Sequence, residues 1–256
     1  MAELLQVEHV SKVFKNGTQL TKALDDITFT IKEGEFVGIM GPSGSGKTTL
    51  LNAISTIDTI DRGQILLKGS PLSGLGEEQV NQYRKKDLGF IFQHFNLIDS
   101  LTAFDNIALA LSINQVPYKQ IQERVAIIMK KLEIEQLKDK YPYEVSGGQR
   151  QRIAAARAVI TEPSLLLADE PTGALDSKSS VGLLNVMGNL NKEQHTTIVM
   201  VTHDAFSASF CHRILFIKDG KIYHELVKGD ASRKEFFDQV MNVQSTLGGG
   251  SYYADY

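Results

Sequence analysis

Eight residues constrain this chain more than any others: Gly41-Pro42-Ser43-Gly44-Ser45-Gly46-Lys47-Thr48, which fit the pattern G-x-x-x-x-G-K-[ST]. The apolar run Phe36-Val37-Gly38-Ile39-Met40 precedes them, and a helix-type pattern from Lys47 to Ser55 follows. A glycine-rich stretch between a strand and a helix is the setting in which backbone wraps a polyphosphate. Glycines let the chain bend with its N–H groups pointing inward, and the positive end of the helix adds to them. Lys47 supplies mobile positive charge to the phosphates, and Thr48 supplies an oxygen for magnesium. The bare pattern arises by chance in roughly one chain in a hundred of this length, so the partners it finds elsewhere matter.

Leu165-Leu166-Leu167-Ala168-Asp169-Glu170 reads as a buried strand delivering two carboxylates at its end, where a doubly wound sheet binds ligands. Asp169 is expected to hold the magnesium. Glu170 is the candidate general base, aligning and deprotonating the water that attacks the γ-phosphate, because phosphoryl transfer depends on an oriented nucleophile. His203, in Val201-Thr202-His203-Asp204, follows another apolar strand and could contact the γ-phosphate from the same sheet edge. Val145-Ser146-Gly147-Gly148-Gln149 opens an Ala-rich helical segment from Arg150 to Ile160, with Ser146 as its N-cap. Taken alone, that turn is a simple helix start.

Between these sites the hydrophobic pattern changes period. Leu5, Val7 and Val10, then Ile27, Phe29 and Ile31, with turn signals at Asn16-Gly17 and Glu33-Gly34, predict an antiparallel region. Strands follow at 65–67 and 88–92, with a polar helix from Gly76 to Lys86 between them. From Ala103 to Leu137 the apolar residues recur at helical spacing, as at Ile121, Val125, Ile128 and Leu132, with no strand pattern. Strand signals return at 165–168, 197–201 and 214–217, with a helix from Ser179 to Leu190 between the first two. The alternation predicts an α/β fold with a mainly parallel sheet, an N-terminal antiparallel β region and an inserted α-helical subdomain. The stretch from Leu247 to Tyr256 has no period and reads as a loose tail.

A formal net charge of −3 gives no basic footprint for nucleic acid. Cys211 is the one cysteine of the 256 residues, so no intramolecular disulfide forms and a reducing compartment is expected. The N-terminus lacks the basic and apolar regions of a signal peptide, and no apolar run approaches the roughly 20 residues needed to cross a bilayer. A water-soluble protein is expected, with any membrane role arising through a partner.

The order of Gly41 to Thr48, Gln93, Ser146 to Gln149, Asp169-Glu170, Asp176 and His203 resembles the ATPase domain of ABC transporters, over nearly the whole chain. The resemblance implies a single such domain, an α/β fold with a P-loop NTPase, RecA-like core, with 1–92 and 164–223 as catalytic core and N-terminal β region, 93–163 as helical insertion and 224–256 as C-terminal extension and tail. It implies ATP and Mg2+, with Thr49 joining the phosphate cradle beside Thr48. Gln93 would contact magnesium and the attacking water while linking core to insertion. Ser146, Gly147, Gly148 and Gln149 of one subunit would close over ATP held by the other, giving a head-to-tail dimer of two copies. Asp176 would touch across that dimer, and Phe14 would stack on adenine. Val145 stands where the family's signature usually has leucine, a position that needs only an apolar side chain. Intact Glu170 implies a subunit that hydrolyses ATP.

The stretches 88–97 (LGFIFQHFNL), 168–177 (ADEPTGALDS) and 198–204 (IVMVTHD) are most similar to the group containing macrolide-exporter and lipoprotein-release ATPases. Within it, 139–145 (DKYPYEV), 211–221 (CHRILFIKDGK) and Leu247-Gly248-Gly249 resemble the antimicrobial-peptide resistance transporters of Gram-positive bacteria, the bacitracin type. That narrower resemblance implies a permease with a large extracellular domain and, through it, a sensor histidine kinase. The ATPase would then sit in the cytoplasm on the inner face of the membrane. Phe95, Leu97, Ile98 and Leu101 would help receive an intracellular helix of the permease. The alternatives are a lipoprotein-release, macrolide-export or cell-division-type system, or a soluble ABC protein outside transport.

Overall fold

The computed structural model describes residues 2–17 and 19–247, so the tail expected beyond Leu247, with its tyrosines, lies outside the described residues. The chain divides into two compact units, Met1–Gly76 with Val199–Tyr256, and Glu77–Ile198.

The first unit begins with two long strands, β1 (Glu3–Asn16) and β2 (Gln19–Lys32), paired as an antiparallel hairpin. Their alternation buries Leu5, Val7, Val10, Ile27 and Ile31 completely, the one-sided pattern of a half-covered antiparallel sheet. The register shifts between Val7 and Val10, where His9 takes a left-handed φ of 50° and the strand bends. β3 (Phe36–Met40), buried at all five positions, leads through the glycine-rich loop into α1 (Lys47–Ile54). β4 (Arg62–Leu67) pairs antiparallel with β1, and the short β5 (Ser70–Pro71) completes the sheet order β2-β1-β4-β5.

The second unit opens with α2 (Glu77–Lys86), whose acidic first turn and basic last turn complement the helix dipole. β6 (Leu88–Ile91), α3 (Ala103–Ile113), α4 (Tyr118–Lys131), α5 (Gly147–Val159), β7 (Leu165–Asp169) and α6 (Ser177–Gln194) follow. α4 buries Ile121, Val125, Ile128 and Met129, a stripe at three- and four-residue spacing. β6 and β7 run parallel, Leu88 opposite Leu165 through Ile91 opposite Ala168. The expected insertion at 93–163 carries α3, α4 and α5 and no strand among the described residues. It shares its compact unit with β6, β7 and α6.

β8 (Thr197–Val201), buried throughout, carries the chain back to the first unit, where α7 (Ala205–Ala208), β9 (Arg213–Lys218), β10 (Lys221–Val227) and α8 (Arg233–Leu247) complete it. β3 lies parallel to β9, Val37 opposite Arg213 through Met40 opposite Phe216. β10 folds back antiparallel on β9 around Asp219-Gly220. The segment read only as an extension at 224–247 thus holds part of a strand and a four-turn helix. Ser232 and Glu235 cap α8 reciprocally, the hydroxyl accepting the Glu235 N–H at 3.3 Å and the carboxylate accepting the Ser232 N–H at 2.8 Å. Phe236, Val240 and Leu247 anchor its inner face, each contributing about 1.5–3 kcal/mol of apolar burial.

Arg213 fastens this unit at the foot of β9. Its guanidinium donates to the Glu35 carboxylate at 2.6 and 3.2 Å, to Glu225 on β10 at 2.8 Å, and to the carbonyl of Thr30 on β2. Burial pushes the Glu35 carboxyl up, but the hydrogen bonds from Arg213 and the Lys32 N–H outweigh it and hold it below its ordinary range.

Candidate active site

In the first unit the phosphate loop is shaped by what lies against it. Gly46 has φ 103°, and a Cβ there would stand 2.2 Å from the carbonyl oxygen of Ala23 on β2, so no other residue fits that turn. The ammonium of Lys47, 8% exposed, donates to the carbonyls of Gly41 at 2.9 Å and Pro42 at 2.8 Å. The hydroxyl of Ser45 is buried and has no hydrogen-bond partner, a deficit a phosphate oxygen would remove. Thr48 is exposed in the first turn of α1, Thr49 is half-buried behind it, and Pro42, Ser43 and Gly44 form the open rim.

Phe14 is 43% exposed near the end of β1, available for stacking. It pairs with Thr21, two residues before the Ala23 that touches Gly46, so the hairpin brings the aromatic to the side of the loop. Lys12 lies beneath it, its ammonium 5.2 Å from the ring centroid and bonded to Asp58 at 2.7 Å and the Thr59 carbonyl at 2.6 Å.

His203 is exposed just beyond β8, between two pinned neighbours. The Thr202 N–H donates to the Ile39 carbonyl on β3 at 3.1 Å. Asp204 caps α7, its carboxylate accepting from the Phe206 and Ser207 N–H groups and the Ser207 hydroxyl.

In the second unit Asp169 ends β7 and Glu170 follows with φ 44°. A left-handed residue that is neither glycine nor asparagine, standing before Pro171, is held against its backbone preference, as functional residues often are. The turn closes with the Gly173 N–H donating to the Glu170 carbonyl at 2.9 Å. Gln93 meets this turn: a Cβ on Gly173 would stand 2.9 Å from Gln93 Nε2. Gln151 on α5, fully buried, donates to the carbonyl of Phe92, before Gln93, at 3.2 Å and to that of Pro171, after Glu170, at 2.7 Å. Two residues predicted from separate motifs are therefore held side by side.

The segment after Gln93 is also strained and clamped. Phe95 and Asn96 have φ 63° and 49°, and the Arg157 guanidinium donates to their carbonyls at 3.0 and 2.6 Å. Burial pulls the pKa of Arg157 down. Asn106, fully buried, binds the carbonyls of Ile98, Leu101 and Thr102 and the Ile98 N–H. A cavity of about 470 Å3 opens beside this segment, lined by Phe90, Phe92, Asn96 and Ile113 and edged by Arg84, Lys85 and Arg157. Phe95, Leu97, Ile98 and Leu101, the expected permease contacts, are not among its lining residues. Leu97 and Leu101 are half-buried and Ile98 is exposed.

The signature turn forms a full capping box: the Ser146 hydroxyl accepts the Gln149 N–H at 3.3 Å, and Gln149 Oε1 accepts the Ser146 N–H at 2.9 Å. Gly147 sits beside it, and Val145 is half-buried, as an apolar position requires. A Cβ on Gly148 would lie 2.4 Å from the Ser179 hydroxyl. Ser179 donates its N–H and hydroxyl to the Asp176 carboxylate at 3.0 and 2.7 Å, and these bonds hold that carboxyl below its usual range. The signature turn and Asp176 therefore meet through one serine. Sequence reasoning missed Gln151 and Arg157, whose partners lie far off in the sequence, and Asn106, whose partners are in the loop that leads into its own helix; the capping box of α8 was readable in Ser232 and Glu235.

A phosphate-wrapping loop at the end of a buried parallel strand, with a strained strand-end carboxylate on β7, places this protein among P-loop ATPases. Residues 24–173 match the family described as "ABC transporter", and the chain belongs to that family. It is similar to the bacitracin export ATP-binding protein BceA of Halalkalibacterium halodurans, 52% identical over 96% of this chain and 97% of that one. It is also similar to the ABC transporter ATP-binding protein YxdL of Bacillus subtilis, 49% identical over 98% of this chain and 97% of that one. Among solved structures, the ATP-binding cassette MJ0796, a protein of Methanocaldococcus jannaschii, captured as a dimer in a post-hydrolysis state bound to ADP and Pi, superposes with a TM-score of 0.82. It is 38% identical and covers 88% of this chain and 98% of that one. The chain is thus an ATP-binding, ATP-hydrolysing transporter subunit. Among the described residues no helix is long and apolar enough to cross a membrane.

Proposed function

We infer that the chain works as a head-to-tail dimer around two Mg-ATP and powers a permease of the bacitracin-resistance type, probing or removing antimicrobial peptide at the outer face of a Gram-positive membrane. Glu170 carries the catalytic part of this reading: it is a carboxylate in a left-handed conformation, packed in one turn with Gln93. It would take a proton from the water attacking the γ-phosphate while Gln93 orients that water and His203 contacts the γ-phosphate oxygens. Lys47 and the loop 41–49 would hold the phosphates, with Phe14 on the adenine. Ser146 to Gln149 of the second copy would close the site, with Asp176 contacting across the dimer. The dimer of MJ0796 supports this arrangement.

Thr48, Asp169 and Gln93 offer oxygen donors, the hard ligands Mg2+ prefers. When bound it would neutralise charge on the phosphates.

The cargo reading rests on the bacitracin export relative and on the cavity beside the Gln93 segment, an apolar floor edged by three cations. That chemistry fits a short permease helix with acidic or C-terminal character. The permease would carry a large extracellular domain and report drug load to a sensor histidine kinase, holding the ATPase on the cytoplasmic face of the membrane. Affinity purification of the tagged chain from native membranes, with magnesium-dependent ATP hydrolysis measured with and without bacitracin, tests this. A large-domain permease with peptide-responsive turnover is expected. A lipoprotein-release, macrolide-export or cell-division-type permease would keep the ATPase chemistry and replace the cargo.

A further inference from the structure

We propose that Gln244 on the C-terminal helix is a positioning residue for His203, so that α8 sets the backbone from which the γ-phosphate contact is made. The proposal rests on the reading of His203 as that contact. Gln244 Nε2 donates to the His203 carbonyl at 2.9 Å across a sequence distance of 41 residues. The peptide around His203 is otherwise fixed from two sides: Thr202 is tied to β3 through the Ile39 carbonyl, and Asp204 is committed to capping α7. The third hold comes from α8.

That helix is itself firmly seated. Phe236, Val240 and Leu247 are buried, and the Arg233 guanidinium lies over the rings of Phe206 and Phe210, 5.8 and 4.6 Å from their centroids. Phe206 belongs to α7 and Phe210 follows it, so the helix begins on the element that Asp204 caps and ends near the carbonyl of His203. Gln244 is half-buried on the last turns of α8, and its packing face is supplied by other residues. Its amide is therefore there for the bond it makes. A side chain that acts on the γ-phosphate from an exposed strand end needs its Cα fixed to a fraction of an ångström, since small misplacements in a reacting site cost large factors in rate.

The test compares steady-state ATP hydrolysis by the purified full-length chain and four variants: Gln244→Leu, Gln244→Glu, Gln244→Lys and His203→Ala. Leu keeps the bulk without a donor, Glu opposes the carbonyl with a carboxylate, and Lys restores a donor. Near neutral pH, kcat is expected to fall about five- to tenfold in the Leu and Glu variants and to return close to wild type in the Lys variant. The KM for ATP and the thermal midpoint should stay unchanged in all three. His203→Ala is expected to be nearly inactive. Wild-type kcat in the Leu and Glu variants beside an inactive His203→Ala overturns the proposal and leaves the γ-phosphate reading standing. Full activity in His203→Ala removes that reading and the proposal with it. Equal losses in Leu, Glu and Lys, accompanied by a lower thermal midpoint, assign Gln244 to stability alone and also overturn it.

Discussion

Gln93 and Gly173 share one space: the amide nitrogen of the glutamine lies 2.9 Å from where a Cβ on the glycine would be. The turn carrying Glu170 and the residue expected to orient water are thus in register by contact. Gly173→Ala forces one of them to move. Turnover is expected to fall about three- to tenfold, because the Gln93 amide, the far end of its side chain, has to give by a fraction of an ångström, while ATP affinity stays unchanged. Steady-state hydrolysis beside nucleotide-binding titration checks it; unaltered kcat would mean that Gln93 can move without consequence.

Gln151 joins the same two segments from α5. Gln151→Leu removes the donor from the carbonyls of Phe92 and Pro171, at a cost of about 1–3 kcal/mol, most of it from the buried Pro171 acceptor. Urea unfolding should show the loss. Hydrolysis should drop further than the folded fraction does, because the loops that carry Gln93 and Glu170, the proposed catalytic residues, are both released. A variant as stable as wild type contradicts this.

The Glu35–Arg213 pair gives stability a defined pH dependence. The folded-state pKa of Glu35 lies below its ordinary value of 4.5, so its contribution is complete above that value and is lost as pH falls through the folded one. Glu35→Gln should cost about 1 kcal/mol near pH 7, since Arg213 keeps Glu225 at 2.8 Å. The difference should shrink below pH 4.5 and vanish once the wild-type carboxyl is protonated. Denaturant unfolding at a series of pH values reads this directly; a gap that persists in acid would assign the effect to packing.

Much of this was legible before any coordinates. The phosphate loop, the Asp169-Glu170 strand end and the antiparallel N-terminal region announce themselves by local pattern, because glycine conformation and period-two or period-3.6 burial are written in neighbouring residues. The left-handed backbone at Phe95 and Glu170 was not legible, since neither is a residue type that seeks such a conformation, whereas Asn96 between Phe95 and Leu97 is one that does; Arg157 and Gln151 hold those segments from another element. The bond from Gln244 to His203 was hidden for the same reason: it depends on where α8 docks. α8 itself could have been read from its capping box and from Phe236, Val240 and Leu247.

The site reading stands or falls on Glu170. Glu170→Gln keeps the side chain's size and removes its capacity to take a proton. With Mg-ATP, the variant is expected to bind nucleotide as wild type does, lose hydrolysis by about 100-fold or more, and accumulate as an ATP-bound dimer in size-exclusion chromatography. Retained turnover, or a monomer under saturating ATP, would contradict a nucleotide-sandwiched dimer in which Glu170 is the base.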